Sequence, residues 1–119
     1  MIENSLTTRA ADGTPLAYNV VGDGTELVFA NGYTTSNFFW RDVHAHLRTR
    51  ARLVTWDYKG HGRSGPAASR GGTTMRALVD DMARVMDAAG VEKATLLGFS
   101  MGSQVILEAW RHHPDRIRS

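Results

Sequence analysis

Cysteine is absent from the 119 residues, which excludes a disulfide framework and any Cys-based metal site. An excess of one charge is also missing. Fourteen Lys and Arg stand against twelve Asp and Glu, a net charge of +2. No cluster of basic residues forms the footprint of a nucleic-acid partner, so none is expected. No apolar run approaches the length of a membrane span, and no membrane partner is expected. The start Met1-Ile2-Glu3-Asn4-Ser5-Leu6 has neither the basic nor the apolar region of a secretion leader. The default expectation is a soluble cytoplasmic chain. Internal repeats and low-complexity segments are missing as well.

What is present is a globular composition, 42% hydrophobic and 22% charged. The length suits one domain able to bury roughly two-thirds of its unfolded surface. Leu6–Arg9 and Leu16–Val21 read as two short strands, and Asp12-Gly13-Thr14-Pro15 between them marks a hairpin. Glu26–Ala30, Arg52–Asp57 and Ala94–Phe99 are near-continuous apolar runs, the pattern of parallel strands buried on both faces. Helical periodicity lies between them. Ser36 is placed to cap a helix through Leu47, with Phe39, Trp40, Val43 and Leu47 inward. From Thr74 to Ala89, apolar residues recur at three- and four-residue steps before Gly90. A third helix is expected from about Met101 to His113, with Val105, Ile106, Ala109 and Trp110 as its apolar stripe. Alternating strand and helix predicts an α/β fold, a mostly parallel sheet with helices on both faces.

Gly98-Phe99-Ser100-Met101-Gly102 is a G-x-S-x-G sequence between a predicted strand and a predicted helix. That is the context of a nucleophile elbow, in which the serine sits on a sharp, strained turn with its Oγ lifted above the sheet. The small residues Gly98 and Gly102 let strand and helix approach. The Met101 N–H then lies at a helix N-terminus, where dipole and free donors favour a developing oxyanion.

Two further segments extend the pattern. Asn31-Gly32-Tyr33-Thr34-Thr35-Ser36 follows the first central strand, and Asp57-Tyr58-Lys59-Gly60-His61-Gly62-Arg63-Ser64-Gly65 follows the second. With the elbow, these match in order the H-G-x loop, the D-x-R-G-x-G-x-S turn and the nucleophile motif of the α/β-hydrolase superfamily, which the chain resembles over almost its whole length. Asn31 to Trp40 looks like the loop and first helix of haloalkane dehalogenases. G-F-S-M-G is similar to the elbow of haloperoxidase-like perhydrolases and enol-lactone hydrolases. Asn31 stands at the usual histidine and Lys59 at the usual arginine. The resemblance implies Ser100 as nucleophile, with the N–H groups of Tyr33 and Met101 as oxyanion donors. It implies no cofactor and no metal. Dehalogenases carry aspartate at the elbow, so Ser100 points instead to acyl transfer from an ester, lactone or thioester, a small-molecule acyl substrate.

The resemblance also places the acid and histidine base beyond the elbow, in the order Ser, Asp or Glu, His. Residues 1–119 are therefore expected to be a partial domain, truncated after the helix that follows Ser100 and inactive alone. The histidines present are read as non-catalytic. His61 belongs to a structural turn, and His44 and His46 face solvent. His112 and His113 cap a helix end about three turns, ~18 Å, from Ser100. Asp57 is read as turn-forming, Asp80 and Asp81 as a solvated helix face, and the three tryptophans as core or interface. With no strand beside it, Ala94–Phe99 is expected to leave an apolar edge open to self-association. The competing expectation is a short non-catalytic α/β protein that keeps the elbow as a binding pocket. A nucleotide-binding domain is disfavoured, because the elbow lacks a P-loop lysine and Gly60 and Gly62 follow no Rossmann spacing.

Overall fold

The computed structural model describes residues 5–119; the Met1–Asn4 start, read above for a leader, lies outside the described residues. Strands β1 (Leu6–Arg9) and β2 (Pro15–Gly22) form the expected antiparallel hairpin. They are followed by β3 (Thr25–Ala30), a 3-10 turn at Asn37–Trp40, α1 (Arg41–Leu47), β4 (Ala51–Trp56), α2 (Met75–Ala88), β5 (Thr95–Gly98), α3 (Met101–His112) and a 3-10 turn at Pro114–Arg116. Five strands make one sheet in the order β1-β2-β4-β3-β5. β2 meets β4 antiparallel, whereas β3 pairs in parallel with both β4 and β5.

The apolar runs behave as their continuity demands. Val28, Phe29, Leu53, Val54 and Trp56 are wholly buried, because helices cover both faces. On one face α2 and α3 pack over Val28, Val54, Trp56 and Leu96. α2 contributes Val79, Met82, Val85 and Met86, each worth about 1.5–3 kcal/mol of burial. Thr74 opens α2 by accepting the Ala77 N–H at 3.1 Å. On the other face Trp40 and α1 cover Phe29 and Leu53.

Between β3 and its two parallel neighbours the strand order reverses: the chain steps from β3 to β4 on one side and returns to β5 on the other. α1 and α3 accordingly lie on opposite faces. Open α/β sheets bind ligands in the crevice at the carboxyl ends of such strands. Asn31, Asp57 and Phe99 lie at or just past those ends.

Several expectations are corrected. The first helix is split into a 3-10 turn and α1, and Ser36 makes no side-chain cap. Phe39 stays 41% exposed and lies against Phe99, ring centroids 4.5 Å apart, rather than in the core. Trp110 is 57% exposed and leaves the α3 stripe. His44 is buried beneath Phe29, four residues after Trp40 on the same inner face. The β5 edge is not bare either. Residues 116–119 run alongside it in parallel, with Ala94 N–H donating to Arg116 O, Arg118 N–H to Ala94 O, and Leu96 N–H to Ser119 O.

This leaves a shorter free edge, with Leu97, Phe99, Leu107 and Trp110 exposed nearby. The 119-residue chain is expected to self-associate through this region, and sedimentation over a concentration series reads it. A monomer at every concentration with a sharp, high melting transition would refute it. Among the described residues no helix is long and apolar enough to cross a membrane.

Candidate active site

Ser100 sits between β5 and α3 at φ 55°, ψ −116°. A non-glycine residue rarely adopts positive φ, and holding it costs on the order of 1–3 kcal/mol. The hydrogen bonds around it show what keeps it there. Phe99 N–H donates to Ala30 O at 3.1 Å, Gly102 N–H to Phe99 O at 2.8 Å, and Ser103 N–H to Ser100 O at 2.9 Å. The last two turn the chain straight from strand into helix. Close approach explains the flanking glycines. A Cβ on Gly102 would collide with the Ala30 carbonyl oxygen, and one on Gly98 would lie 2.6 Å from Ile106 Cδ1 and 2.8 Å from the Gly102 backbone. Ser100 is exposed. The Met101 N–H heads α3, and no hydrogen bond within the described residues takes it.

The loop after β3 lies against this turn. Gly32 is buried with its Cα toward Phe99, where a Cβ would lie 2.8 Å from Phe99 Cδ2. Tyr33 is next, its N–H likewise untaken within the described residues. Tyr33 and Met101 both line an open cleft of about 440 Å³, with Tyr58, His61, Thr73 and Leu78 among its walls. Ser100, Met101, Tyr33, Gly98 and Gly102 thus gather at one place, the carboxyl ends of β3 and β5.

Asn31 anchors the loop from below and is wholly buried. Its Nδ2 donates to Trp56 O at 2.8 Å, its Oδ1 accepts from Trp40 Nε1 at 2.6 Å, and its backbone oxygen accepts from the Tyr58 hydroxyl at 2.6 Å. The short amide at the family's histidine position therefore has partners at both ends of its side chain. The carbonyl bond does not offset the burial of Tyr58, and its phenol is pushed well above the ordinary value.

Asp57 is structural, as expected. Its carboxylate accepts the N–H of Asn37 at 2.7 Å and of Arg63 at 3.0 Å, and fills the space where a Gly62 side chain would stand. Burial raises its pKa, against those two hydrogen bonds. Ser64 is structural too. Its buried hydroxyl donates to Asp57 O at 2.6 Å and accepts the Ala17 N–H at 2.9 Å.

The histidines are placed away from general-base duty. His61 has both ring nitrogens engaged, with Thr34 N–H and Lys59 O. Burial holds His44 below the ordinary imidazole range. His112 lies in the last turn of α3 and His113 is its C-cap, as expected; His112 also meets Glu108 at 3.1 Å and His113 meets Asp80 at 2.9 Å. No hydrogen bond joins a histidine to Ser100 among the described residues.

The sequence reading missed one cluster. Lys59, 5% exposed, directs Nζ to Gly72 O at 3.0 Å, Asp81 Oδ2 at 3.3 Å and Asp12 Oδ2 at 3.4 Å. Asp81, expected in water, is 2% exposed. The signal was available: Asp81 stands three residues after Leu78 and four before Val85, on the inner face of α2. Burial pushes its carboxyl up to about 6, with Lys59 pulling the other way. The folded chain therefore holds this proton between the ordinary 3.8 and about 6, where the unfolded chain releases it. Asp81's contribution to stability is full below that window and is lost as pH rises through it, a change of about 3 kcal/mol. Asp81→Asn is expected to remove this slope. The variant should gain on the parent by that amount between about pH 4 and 7 in denaturant titrations. Parallel curves for the two proteins would exclude it. Among the described residues no three His, Asp or Glu side chains gather as a metal site requires.

A serine on a strained strand-to-helix turn at the reversal point of a parallel sheet, beside a loop with a free N–H, defines the α/β-hydrolase class. The alpha/beta hydrolase fold family matches residues 26–119, and the chain belongs to it. It is similar to a protein named "Putative carbamate hydrolase RutD" from Azorhizobium caulinodans, 36% identical over 87% of this chain and 38% of that protein. It is also similar to 3-oxoadipate enol-lactonase 1 of Acinetobacter baylyi, 31% identical over 86% of this chain and 37% of that one. Among solved structures, a hydrolase from Pseudomonas aeruginosa superposes with a TM-score of 0.88 at 29% identity, over 98% of this chain and 44% of that one. The chain spans about two-fifths of the length of the curated relatives it matches.

Proposed function

We propose that this chain supplies the nucleophile and oxyanion donors of a serine hydrolase that cleaves an ester, lactone or thioester through an acyl-enzyme at Ser100. The observation that carries this reading is the strained Ser100 turn, beside a cleft lined by Met101 and Tyr33, whose N–H groups take no partner within the described residues. Relatives named for a lactone and a carbamate support carbonyl chemistry of this kind. In the proposed step Ser100 Oγ attacks the carbonyl carbon and gives its proton to a base. The carbonyl π pair moves to oxygen, which accepts hydrogen bonds from the two N–H groups. Collapse expels the alkoxide or thiolate, which takes the proton back. Water then repeats the sequence on the acyl-enzyme. The acid and the histidine base are placed by this reading in polypeptide beyond Ser119, since no histidine among the described residues bonds Ser100. The location proposed is the cytoplasm.

The test is an organophosphonate probe applied to the longer polypeptide that carries these residues, with the adduct mapped by peptide mass. The adduct is expected on Ser100 alone and absent from Ser100→Ala. An adduct on Ser64 or Ser103 with Ser100 bare would sink the assignment.

A further inference from the structure

We propose that His61 is a positioning residue for the oxyanion loop, acting as a neutral imidazole that holds Thr34, and through it Tyr33, in place. This rests on the hydrolase reading of the cleft. Thr34 has φ 65°, the left-handed region that a β-branched residue avoids. Nothing in its own side chain favours that conformation, so an outside contact must hold it. Its N–H provides one, donating to His61 Nε2 at 3.1 Å.

The other ring nitrogen fixes the protonation state. His61 Nδ1 lies 3.0 Å from Lys59 O, and a carbonyl oxygen only accepts. Nδ1 therefore carries the hydrogen and Nε2 the lone pair. The ring is held between two phenols, with centroids 5.7 Å from Tyr33 and 5.8 Å from Tyr58, both edge-on. Tyr58 in turn donates to Asn31 O, where the loop leaves β3. One imidazole thus joins the 57–65 turn to the residue that follows the Tyr33 N–H.

Protonation would place an N–H on Nε2, facing the N–H of Thr34. Donor against donor, the bond is lost and Thr34 is free to leave the left-handed region. The groups facing the ring are Tyr33 from the loop and Asp57, Tyr58 and the Lys59 carbonyl from its own turn. Thr73, Leu78 and Met101 across the cleft carry no charge.

The test compares His61→Phe, which keeps a ring without an acceptor, with His61→Gln, whose amide oxygen can reach the Thr34 N–H. In the 119-residue chain, nitrogen NMR should show His61 protonated at Nδ1 only. Thr34 amide exchange should be slow in the parent and in His61→Gln, and fast in His61→Phe and in the parent once the ring is protonated. Slow exchange at Val28 and Val54 in every variant certifies the fold. In the longer polypeptide, His61→Phe should lower kcat about 10²–10³-fold with KM little changed, the loss expected for one oxyanion donor, and His61→Gln should recover most of it. An Nε2–H tautomer overturns the proposal, as does unchanged Thr34 exchange in a folded His61→Phe. The expected tautomer and exchange in a polypeptide with no hydrolysis would support the clamp and overturn the hydrolase reading.

Discussion

Ser100→Ala is expected to lower kcat of the longer polypeptide by about a millionfold, the scale seen when subtilisin loses a catalytic triad residue. That corresponds to about 8 kcal/mol of transition-state stabilisation. Ser100 is exposed at the β5–α3 turn, whereas Ser64, the serine of the neighbouring motif, has its hydroxyl buried and doubly bonded. The proposed oxyanion donors are backbone N–H groups, so alanine leaves them in place. Some residual rate should therefore persist in the variant, ~10³–10⁴ over water. On the proposed reading the 119-residue chain alone should resemble the variant, because it keeps the proposed donors while the proposed base lies outside it. Feeble hydrolysis of an activated aryl ester is its expected ceiling, and robust turnover abolished by Ser100→Ala would place a base inside these residues.

Stability separates chemistry from strain at the same position. Alanine pays the same backbone penalty as serine at φ 55°, so Ser100→Ala should melt close to the parent. Glycine tolerates that φ, so Ser100→Gly should melt higher even though it is equally inactive. A Ser100→Gly variant that melts below the parent would mean that the turn stores no strain.

The fold was legible wherever side-chain period and burial coincide. The runs through Val28, Val54 and Leu96 became β3, β4 and β5 because buried parallel strands need apolar residues on both faces. The elbow was legible because a serine flanked at two residues by glycines has few other uses between strand and helix, and Gly102 indeed abuts the Ala30 carbonyl. Charged residues were the failure. Asp81 and His44 occupy inward positions of their helices by spacing, but residue type outweighed position in reading them. Nothing local to Asp81 announces Lys59, since the pair is 22 residues apart and meets only once α2 lies on the sheet. Likewise the bond between Thr34 and His61 joins two loops, and its geometry depends on how β3 and β4 pair. The strand-like pairing of residues 116–119 with β5 escaped notice because a short polar stretch carries no apolar period.

Lys59→Met is expected to be the most destabilising single change outside the apolar core, by about 3–5 kcal/mol. Methionine keeps the apolar stem but removes the cation that faces two carboxylates. Asp12 stays charged, because the hydroxyl and N–H of Thr14 hold its carboxyl well below the usual range. Asp81, nearly sealed from water and without the pull of Lys59, would then have its carboxyl pushed further up and be held protonated beside the charged Asp12, and Gly72 O would lose its donor. The three contacts of Nζ join the β1–β2 turn, α2 and the loop at residue 72 to the turn that presents His61 and Ser64. A loss of this size takes much of a typical stability of roughly 5–15 kcal/mol, so denaturant midpoints should fall sharply with an unchanged slope. Removing the stranded carboxyl is the control. Lys59→Met combined with Asp81→Leu should recover most of the loss, because an apolar replacement of a buried ion pair is often neutral. Lys59→Arg, which restores the cation usual in the family, should stay close to the parent if its longer fork finds both carboxylates. A Lys59→Met loss under about 1 kcal/mol, the range of an exposed pair, would mean that the charges are solvated rather than buried. A double variant no better than the single one would show that the lysine acts through Gly72 and packing and not through Asp81.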